Sequence, residues 1–203
     1  PQRSPNSVRL KSMLYDDVAG KNANEKQFSF VVLSGKSTWD KVGKQGWLTW
    51  QQHVAEPHRL VIASNVKLDE LPEGVVYLQG SMAGFDEYID SQRRFLDVIL
   101  HYKMQREEFL FLLDDDVFVV TKHAIRLLRD YIPQVEMNKG SIYGQITCGT
   151  SLCGGAGAVF SPLALNTLRN HEDIIWSEYF NVSTEYAWDV VLSNVVRNRI
   201  NGV

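Results

Sequence analysis

Short apolar runs alternate with amphipathic segments along most of the chain. The runs are four to seven residues long, and turns containing glycine, proline or charged residues separate them, which predicts buried strands. The predicted strands cover residues 28–34, 59–64, 74–79, 107–113, 141–146 and 155–161. Strands that are apolar throughout and alternate with helices are typical of parallel sheets covered on both faces. The pattern therefore predicts an α/β fold with a central, largely parallel sheet flanked by helices.

Segments with a period near 3.6 residues predict the helices between these strands. The longest covers residues 85–104, where apolar residues such as Leu96 and Ile99 fall on related turns while the charged residues Arg94 and Asp97 lie elsewhere. Shorter predicted helices cover residues 46–55, 124–132, 162–168 and 189–199. No internal repeat or low-complexity tract interrupts the alternation, which indicates a single domain.

Length, composition and charge limit the classes of partner. At 203 residues, of which 44% are hydrophobic, the chain can bury a core without disulfides or a structural metal. We expect one domain over residues 27–203, preceded by a polar, partly disordered tail over residues 1–26. A net charge of -3 gives no electrostatic reason to expect nucleic acid as a partner. No apolar run reaches the ~18 residues that a membrane span needs, so we expect membrane attachment only through a segment absent from this chain.

The two cysteines, Cys148 and Cys153, stand close together in the sequence. Their separation is consistent with a small disulfide loop in an oxidising compartment and also with two reduced structural thiols. It does not fit a zinc knuckle. The triplet Asn181-Val182-Ser183 would accept an N-glycan if the chain enters the secretory pathway.

Three consecutive aspartates, Asp114, Asp115 and Asp116, directly follow the predicted strand at residues 107–113. In open α/β sheets ligands bind at the carboxyl ends of the strands, so this position suits a binding site. Alternate side chains of an extended segment point the same way, so we expect Asp114 and Asp116 to converge. Carboxylates this close repel one another unless a cation such as Mg²⁺ or Mn²⁺ neutralises them. A solvated acidic turn is the alternative.

Two other phosphate-binding patterns fit the sequence less well. The string "LSGKST" contains the Gly-Lys-Ser of a P-loop, but the glycine that should open the loop falls on Phe30, which excludes that motif. Phosphatases of the haloacid dehalogenase type also carry two aspartates, two residues apart, after a strand. They have Thr or Val where this chain has Phe118, so this class stays only as an alternative.

A longer series of motifs around the aspartates resembles a known family. The strings "EEFLFLLDDDVFVV", "SIYGQI" and "CGGAGAVFSPLAL" follow one another between residues 107 and 165, and the likeness extends over residues 28–196. This series resembles the fringe-like glycosyltransferases, the beta-1,3-type enzymes of the GT-A fold. The resemblance implies a Rossmann-like, nucleotide-sugar-binding GT-A domain. It also implies a hexosyltransferase that uses Mn²⁺ or Mg²⁺ to move a sugar, with inversion, from a UDP-sugar to a hydroxyl of a glycan or glycoprotein.

The same resemblance assigns roles to the aspartates and to the end of the second strand. Asp116 would be the principal metal ligand, Asp114 would lie near the metal and the donor sugar, and Asp115 would support either role. Ser64 and Asn65 would lie near the nucleotide. A divalent cation there would offset the charge that develops on the departing UDP.

The glycine-rich motif and the start of the last helix complete the implied site. Gly154 and Gly155 would let the backbone approach the bound sugars, because a side chain there would fill the site; a bulge or tight turn is the alternative. Asp189 would be the base that takes the proton from the acceptor hydroxyl, and a helix N-cap is the alternative. Glu185 is a second candidate for the base. Trp188, beside Asp189, is the tryptophan that we single out as a candidate to stack on a sugar ring; a core or half-buried tryptophan is the alternative.

One departure from the family concerns the metal. Fringe-like enzymes present a histidine beyond the base as a further metal ligand, and none of the five histidines here lies in the corresponding place. Either the family's C-terminal part lies outside this chain, or the metal is held by Asp116, the diphosphate and water. A catalytically inactive glycosyltransferase-like domain that binds nucleotide or glycan is therefore the alternative function. The family works in the secretory pathway, which implies the Golgi lumen, with a membrane anchor removed or absent.

Overall fold

The computed structural model of this protein describes most of the predicted domain. The described residues are 27–54, 58–64, 68, 76–79, 88–103, 109–131, 140–148, 151–181 and 187–200. The predicted tail at residues 1–26 lies outside them. Among the described helices, none is both long enough and apolar enough to span a bilayer.

Six strands form one mixed sheet. They are β1 (Phe28–Leu33), β2 (Arg59–Ser64), β3 (Val76–Gln79), β4 (Phe109–Asp114), β5 (Ile142–Cys148) and β6 (Ser151–Phe160). Their order across the sheet is β3-β2-β1-β4-β6-β5. The strands β1 to β4 are parallel, whereas β6 is antiparallel to both β4 and β5. The predicted α/β class is confirmed, but the sheet is parallel only over its first four strands, because β5 and β6 form a hairpin.

Helical segments connect and cover the strands. They are α1 (Lys36–Thr38), a π-helical turn (Trp39–Gly43), α2 (Lys44–Thr49), a 3-10 turn (Gln51–His53), α3 (Tyr88–His101), α4 (Thr121–Tyr131), α5 (Pro162–Asn170), α6 (Glu172–Asn181) and α7 (Trp188–Asn198). The pattern did not predict α6. Ile175 and Tyr179 of that helix are buried while Ile174 and Phe180 are exposed, so its apolar residues do not form one stripe.

Two hydrophobic clusters fill the two faces of the sheet, as the unbroken apolar runs predicted. Leu110 and Leu112 of β4 belong to a cluster that includes residues of α3, α5, α6 and α7. Phe109 and Phe111 point the other way, into a cluster that includes Trp39 and Trp50 of the segment 36–53. Alternate residues of one strand therefore enter different clusters, because successive side chains of a strand point to opposite faces.

The helix α3 is buried more completely than its sequence pattern indicated. Arg94 and Asp97, which we placed away from its apolar turns, are buried along with Phe95 and Leu96. The cause is tertiary, because α3 contacts the sheet as well as α5 and α7, so little of its circumference meets water.

The β5–β6 hairpin carries a disulfide. Cys153 is disulfide-bonded, and no described cysteine is free. Cys153 lies in β6, and the sequence contains one other cysteine, Cys148. Of the two alternatives that the spacing left open, the structure has the disulfide.

Candidate active site

The carboxyl ends of three parallel strands meet at one edge of the sheet. Leu33 of β1 pairs with Ala63 of β2 on one side and with Asp114 of β4 on the other, so the three strands end at the same level. The backbone N–H of Ser34 also donates a hydrogen bond of 3.0 Å to the Ala63 carbonyl. The acidic triplet therefore lies where the chain order predicted, at the ligand-binding edge of an α/β sheet.

The three aspartates do not continue the strand as we expected. β4 ends at Asp114, and Asp115 and Asp116 form a turn. Asp114 is half-buried, Asp115 is only 6% exposed, and Asp116 is exposed. The alternation of an extended chain therefore does not decide their directions, because the backbone leaves the extended conformation after Asp114.

Two hydrogen bonds fix this turn. The hydroxyl of Ser34 donates to Oδ2 of Asp115 at 2.5 Å, and the backbone N–H of Asp115 donates to Oδ1 of Asp114 at 3.0 Å. Sequence reasoning did not single out Ser34. The resemblance supplied Ser64, whereas the rule that ligands bind at the carboxyl ends of parallel strands would have pointed to the residue that follows β1 as well.

Burial and the neighbouring carboxylates make Asp114 a weaker acid, because both raise its pKa. Burial, followed by the negative charges of Asp115 and Asp116, raises the pKa of Asp114 from 3.8 to about 6. The hydrogen bond from the Asp115 N–H and the positive charge of Arg94 act in the opposite direction. Negative charge on Asp114 is therefore costly in the folded protein.

The structure says less about Ser64 and Asn65, the residues assigned to the nucleotide. Ser64, at the end of β2, is fully buried, so its side chain is not exposed to solvent. Asn65 lies outside the described residues, as does the second candidate base, Glu185. The role of Ser64 and Asn65 stays a prediction.

The glycines of the motif "GGAG" serve different purposes. A Cβ on Gly154 would stand 2.7 Å from the indole nitrogen of Trp188, and one on Gly157 would stand 2.8 Å from the Leu112 carbonyl. Gly157 also has a φ of 82°, which L side chains rarely adopt. A Cβ on Gly155 would meet nothing within 4 Å. Packing accounts for Gly154 and Gly157, whereas only Gly155 borders open space.

Asp189 lies in the first turn of α7 with both carboxylate oxygens engaged. Oδ2 accepts a hydrogen bond of 2.7 Å from the backbone N–H of Gly154, and Oδ1 accepts one of 2.8 Å from that of Val190. The N-cap of the helix is Ala187, so the alternative interpretation of Asp189 as the N-cap is wrong. The side chain is half-buried and ties α7 to β6.

Trp188 belongs to the core. It is 2% exposed, and its ring stacks on that of Phe95 with a centroid distance of 4.9 Å and an interplanar angle of 8°. Its backbone N–H donates a hydrogen bond to Oε1 of Gln92, also on α3. The expectation that Trp188 stacks on a sugar is therefore wrong, because both faces of its ring are covered by protein.

An open cleft of about 740 Å³ adjoins the triplet. Leu113 and Val117, on either side of the aspartates, line it, as does Phe118, which is 66% exposed. The lining includes none of the three carboxylates. The cleft therefore adjoins the triplet, and its walls are mainly apolar.

Comparisons with known proteins give a limited result. No protein-family model matches the sequence, and a search of curated proteins finds no match. The glycosyltransferase GlyE of Streptococcus pneumoniae TIGR4 is similar to this chain, with a TM-score of 0.49 and 11% identity over 86% of this chain and 44% of that structure. The apo form of GlyE gives a TM-score of 0.49 and 9% identity over 88% and 45%. This chain spans less than half the length of either structure, and values this low say nothing about which residues act.

Proposed function

We propose that this chain is a metal-dependent, inverting glycosyltransferase domain of the fringe-like GT-A type. It would move a sugar from a UDP-sugar to a hydroxyl of a glycan or glycoprotein acceptor. One observation carries the proposal: β6 runs antiparallel to β4 and their last residue pair is Leu112 with Ala158, so the β6 residues before Ala158 lie towards the end of β4 that the acidic triplet follows. These β6 residues include Gly155, where the backbone is open, and Gly154, whose N–H binds Asp189. That edge offers a cation ligand, backbone that a ligand can approach, and a proton acceptor.

The carboxylates at this edge suit Mn²⁺ or Mg²⁺ as metal ligands. Asp116 and Asp114 provide hard carboxylate oxygens, the ligands that these cations prefer. The described residues contain no group of three or more His, Cys, Asp or Glu side chains arranged to hold a metal. Two carboxylates would therefore share the cation with the diphosphate of the donor and with water. When bound, the cation offsets negative charge on the leaving UDP.

The protein's own residues would supply the other parts of the transfer. Asp189 would accept the proton of the acceptor hydroxyl as that oxygen bonds to the anomeric carbon and the bond from that carbon to the UDP oxygen breaks. The hydrogen bonds from Gly154 and Val190 hold the Asp189 carboxylate in one orientation. The open space at Gly155 leaves room for the sugar beside the β6 backbone.

A binding domain without turnover is the second candidate. The observation that favours it is that both oxygens of Asp189 already accept backbone hydrogen bonds, which is also what a purely structural aspartate does. Such a domain would hold a nucleotide sugar or glycan at the same edge. The two candidates differ in turnover and agree on binding.

The decisive experiment measures UDP release from a panel of UDP-sugars with Mn²⁺, together with direct UDP binding by calorimetry. The proposal expects release with at least one donor, and its loss by a factor of about 100 or more in Asp116→Ala, because a metal ligand is removed. Asp173→Ala is the matched control, since Asp173 is an exposed carboxylate at the start of α6. It should release UDP at the wild-type rate.

Two results would separate the candidates. UDP binding without any release from the panel would overturn the enzyme and support the binding domain. UDP release by Asp116→Ala at the wild-type rate would overturn the assignment of Asp116 as a metal ligand. We further propose the secretory pathway, and the Golgi lumen within it, as the location, because the disulfide at Cys153 suits an oxidising compartment.

A further inference from the structure

A short chain of polar contacts joins the segment after β1 to the acidic triplet. The backbone N–H of Gly35 donates to Oγ1 of Thr38 at 2.9 Å, and Oγ1 of Thr38 lies 3.4 Å from Oγ of Ser34. The Ser34 hydroxyl in turn donates to the carboxylate of Asp115. The contacts bridge two loops that are far apart in sequence and adjacent only because β1 and β4 are paired.

The hydrogen bond between Ser34 and Asp115 is buried, which raises the cost of losing it. Ser34 is 1% exposed and Asp115 is 6% exposed, so water has little access to either group. A buried carboxylate needs hydrogen-bond donors, and removing one leaves the full desolvation cost of the group unmet. The Ser34 hydroxyl therefore holds Asp115 in place more firmly than an exposed serine would.

The position of Asp115 determines what its neighbours can do. It stands between half-buried Asp114 and exposed Asp116, and its own N–H binds the Asp114 carboxylate. Movement of Asp115 would displace the turn that presents both flanking side chains. The middle aspartate is thus an anchor inside the protein, whereas Asp114 is half-buried and Asp116 is exposed.

We propose that Ser34 is a positioning residue for the divalent-cation site: through Asp115 it sets the turn that presents Asp114 and Asp116 to the metal and the donor diphosphate. This inference rests on the proposed function. It differs from the roles that the resemblance implies, in which Asp115 supports metal or donor directly and Ser34 has no part.

The test uses Ser34→Ala and Ser34→Cys in the full chain, with two readouts. Electron paramagnetic resonance of free Mn²⁺, with UDP present, gives the Mn²⁺ dissociation constant. Hydrogen exchange gives the opening of the Asp115 N–H. Loss of a partner that orients a metal ligand typically weakens metal binding about 10–100-fold, and we expect Ser34→Ala to fall in that range. Ser34→Cys should lie between Ser34→Ala and wild type, because a thiol is a weak donor.

Ser161→Ala is the matched control for stability. Ser161 is fully buried, and its hydroxyl oxygen accepts hydrogen bonds from the backbone N–H groups of Ala164 and Ser141. It follows Phe160, which pairs with Leu110 at the amino end of β4, away from the triplet. This variant should unfold at lower urea concentration, yet it should bind Mn²⁺ like wild type.

The outcomes distinguish this inference from the function on which it rests. If wild type binds no Mn²⁺ with UDP while Ser34→Ala still speeds exchange at Asp115, the proposed function fails, and the positioning role falls with it. If wild type binds Mn²⁺ and Ser34→Ala binds it equally well, only the positioning role is overturned. Equal losses in Ser34→Ala and Ser161→Ala would also overturn it, since general destabilisation would then explain both.

Discussion

The backbone N–H of Gly154 donates a hydrogen bond of 2.7 Å to the carboxylate of Asp189, which fastens the first turn of α7 to β6. One turn further along α7, Oγ of Ser193 accepts a hydrogen bond of 2.9 Å from the N–H of Leu152. Residues four apart share a helix face, and N–H groups two apart share a strand edge, so the two bonds match in spacing. These N–H groups lie beyond the last β4–β6 residue pair, so side chains of α7, and not a neighbouring strand, accept their hydrogen bonds.

Substitution of Asp189 can separate a catalytic role from this structural one. In Asp189→Asn the side-chain carbonyl can accept one of the two N–H bonds, so we expect a loss of about 1–2 kcal/mol in the free energy of unfolding. The amide cannot take a proton at neutral pH. If Asp189 is the base, UDP release with acceptor should therefore fall about 100-fold or more while UDP binding persists.

Urea denaturation and the release assay, run on the same preparation, check this prediction. Ser193→Ala is the control, since it removes the neighbouring α7–β6 bond without touching a carboxylate. Turnover in Asp189→Asn equal to that in Ser193→Ala would show that Asp189 only holds α7 in place.

The glycines Gly154 and Gly155 should respond in opposite ways to alanine. In Gly154→Ala the new Cβ would overlap the buried indole of Trp188, and overpacking of this kind costs about 1–3 kcal/mol. In Gly155→Ala the Cβ meets open space, so the free energy of unfolding should stay within about 0.5 kcal/mol of wild type. If a sugar approaches the backbone here, Gly155→Ala should instead raise KM for the donor. Unchanged KM in a stable Gly155→Ala protein would remove this glycine from the proposed site.

Asp114 should make the metal-free protein less stable as the pH rises from about 4 to about 6. The folded-state pKa is raised to about 6 from 3.8, so in this window the folded protein holds a proton that the unfolded chain has lost. Stability then declines with increasing pH, because the folded state binds more protons. Asp114→Asn removes this term. Urea denaturation with a chelator should find the variant more stable than wild type at pH 7, with the difference shrinking towards pH 4.

Other carboxylates also titrate between pH 4 and 6, so the informative quantity is the difference between the two proteins. A difference that is constant across the range would contradict the raised pKa. Addition of Mn²⁺ tests the proposed site separately, since a bound cation would favour the ionised form of Asp114 and stabilise wild type more than Asp114→Asn, which keeps only Asp116 as a ligand.

Arg169 should contribute to stability through the end of α3. Its guanidinium donates to the carbonyl of Ile99 at 3.2 Å and to that of Tyr102 at 2.5 Å, and burial lowers its pKa. These carbonyls lie at the end of α3, where intrahelical donors are lacking. Arg169→Met keeps the aliphatic volume but removes the donors, and we expect a loss of about 2 kcal/mol in urea denaturation. Arg199→Met, at an exposed position after α7, should change stability little.

The candidate site shows which features residue patterns predict and which they do not. The position of the triplet followed from one strand and one rule about α/β sheets, and the structure agrees. The exposure of each aspartate did not follow, because the strand ends at Asp114 and a turn decides where the next two side chains point. Trp188 was misassigned for a similar reason, since nothing near it in sequence reveals that Phe95 covers its ring.

By itself the sequence determined the α/β class, the six strands and the position of the three aspartates at a strand end. These features depend on local properties, namely the period of apolar residues and their order along the chain. Only the tertiary structure decided that Asp115 is held by Ser34 and that Gly154 must accommodate Trp188. Each of these facts is a contact between segments far apart in sequence, and such contacts arise only when strand order and helix packing bring the segments together.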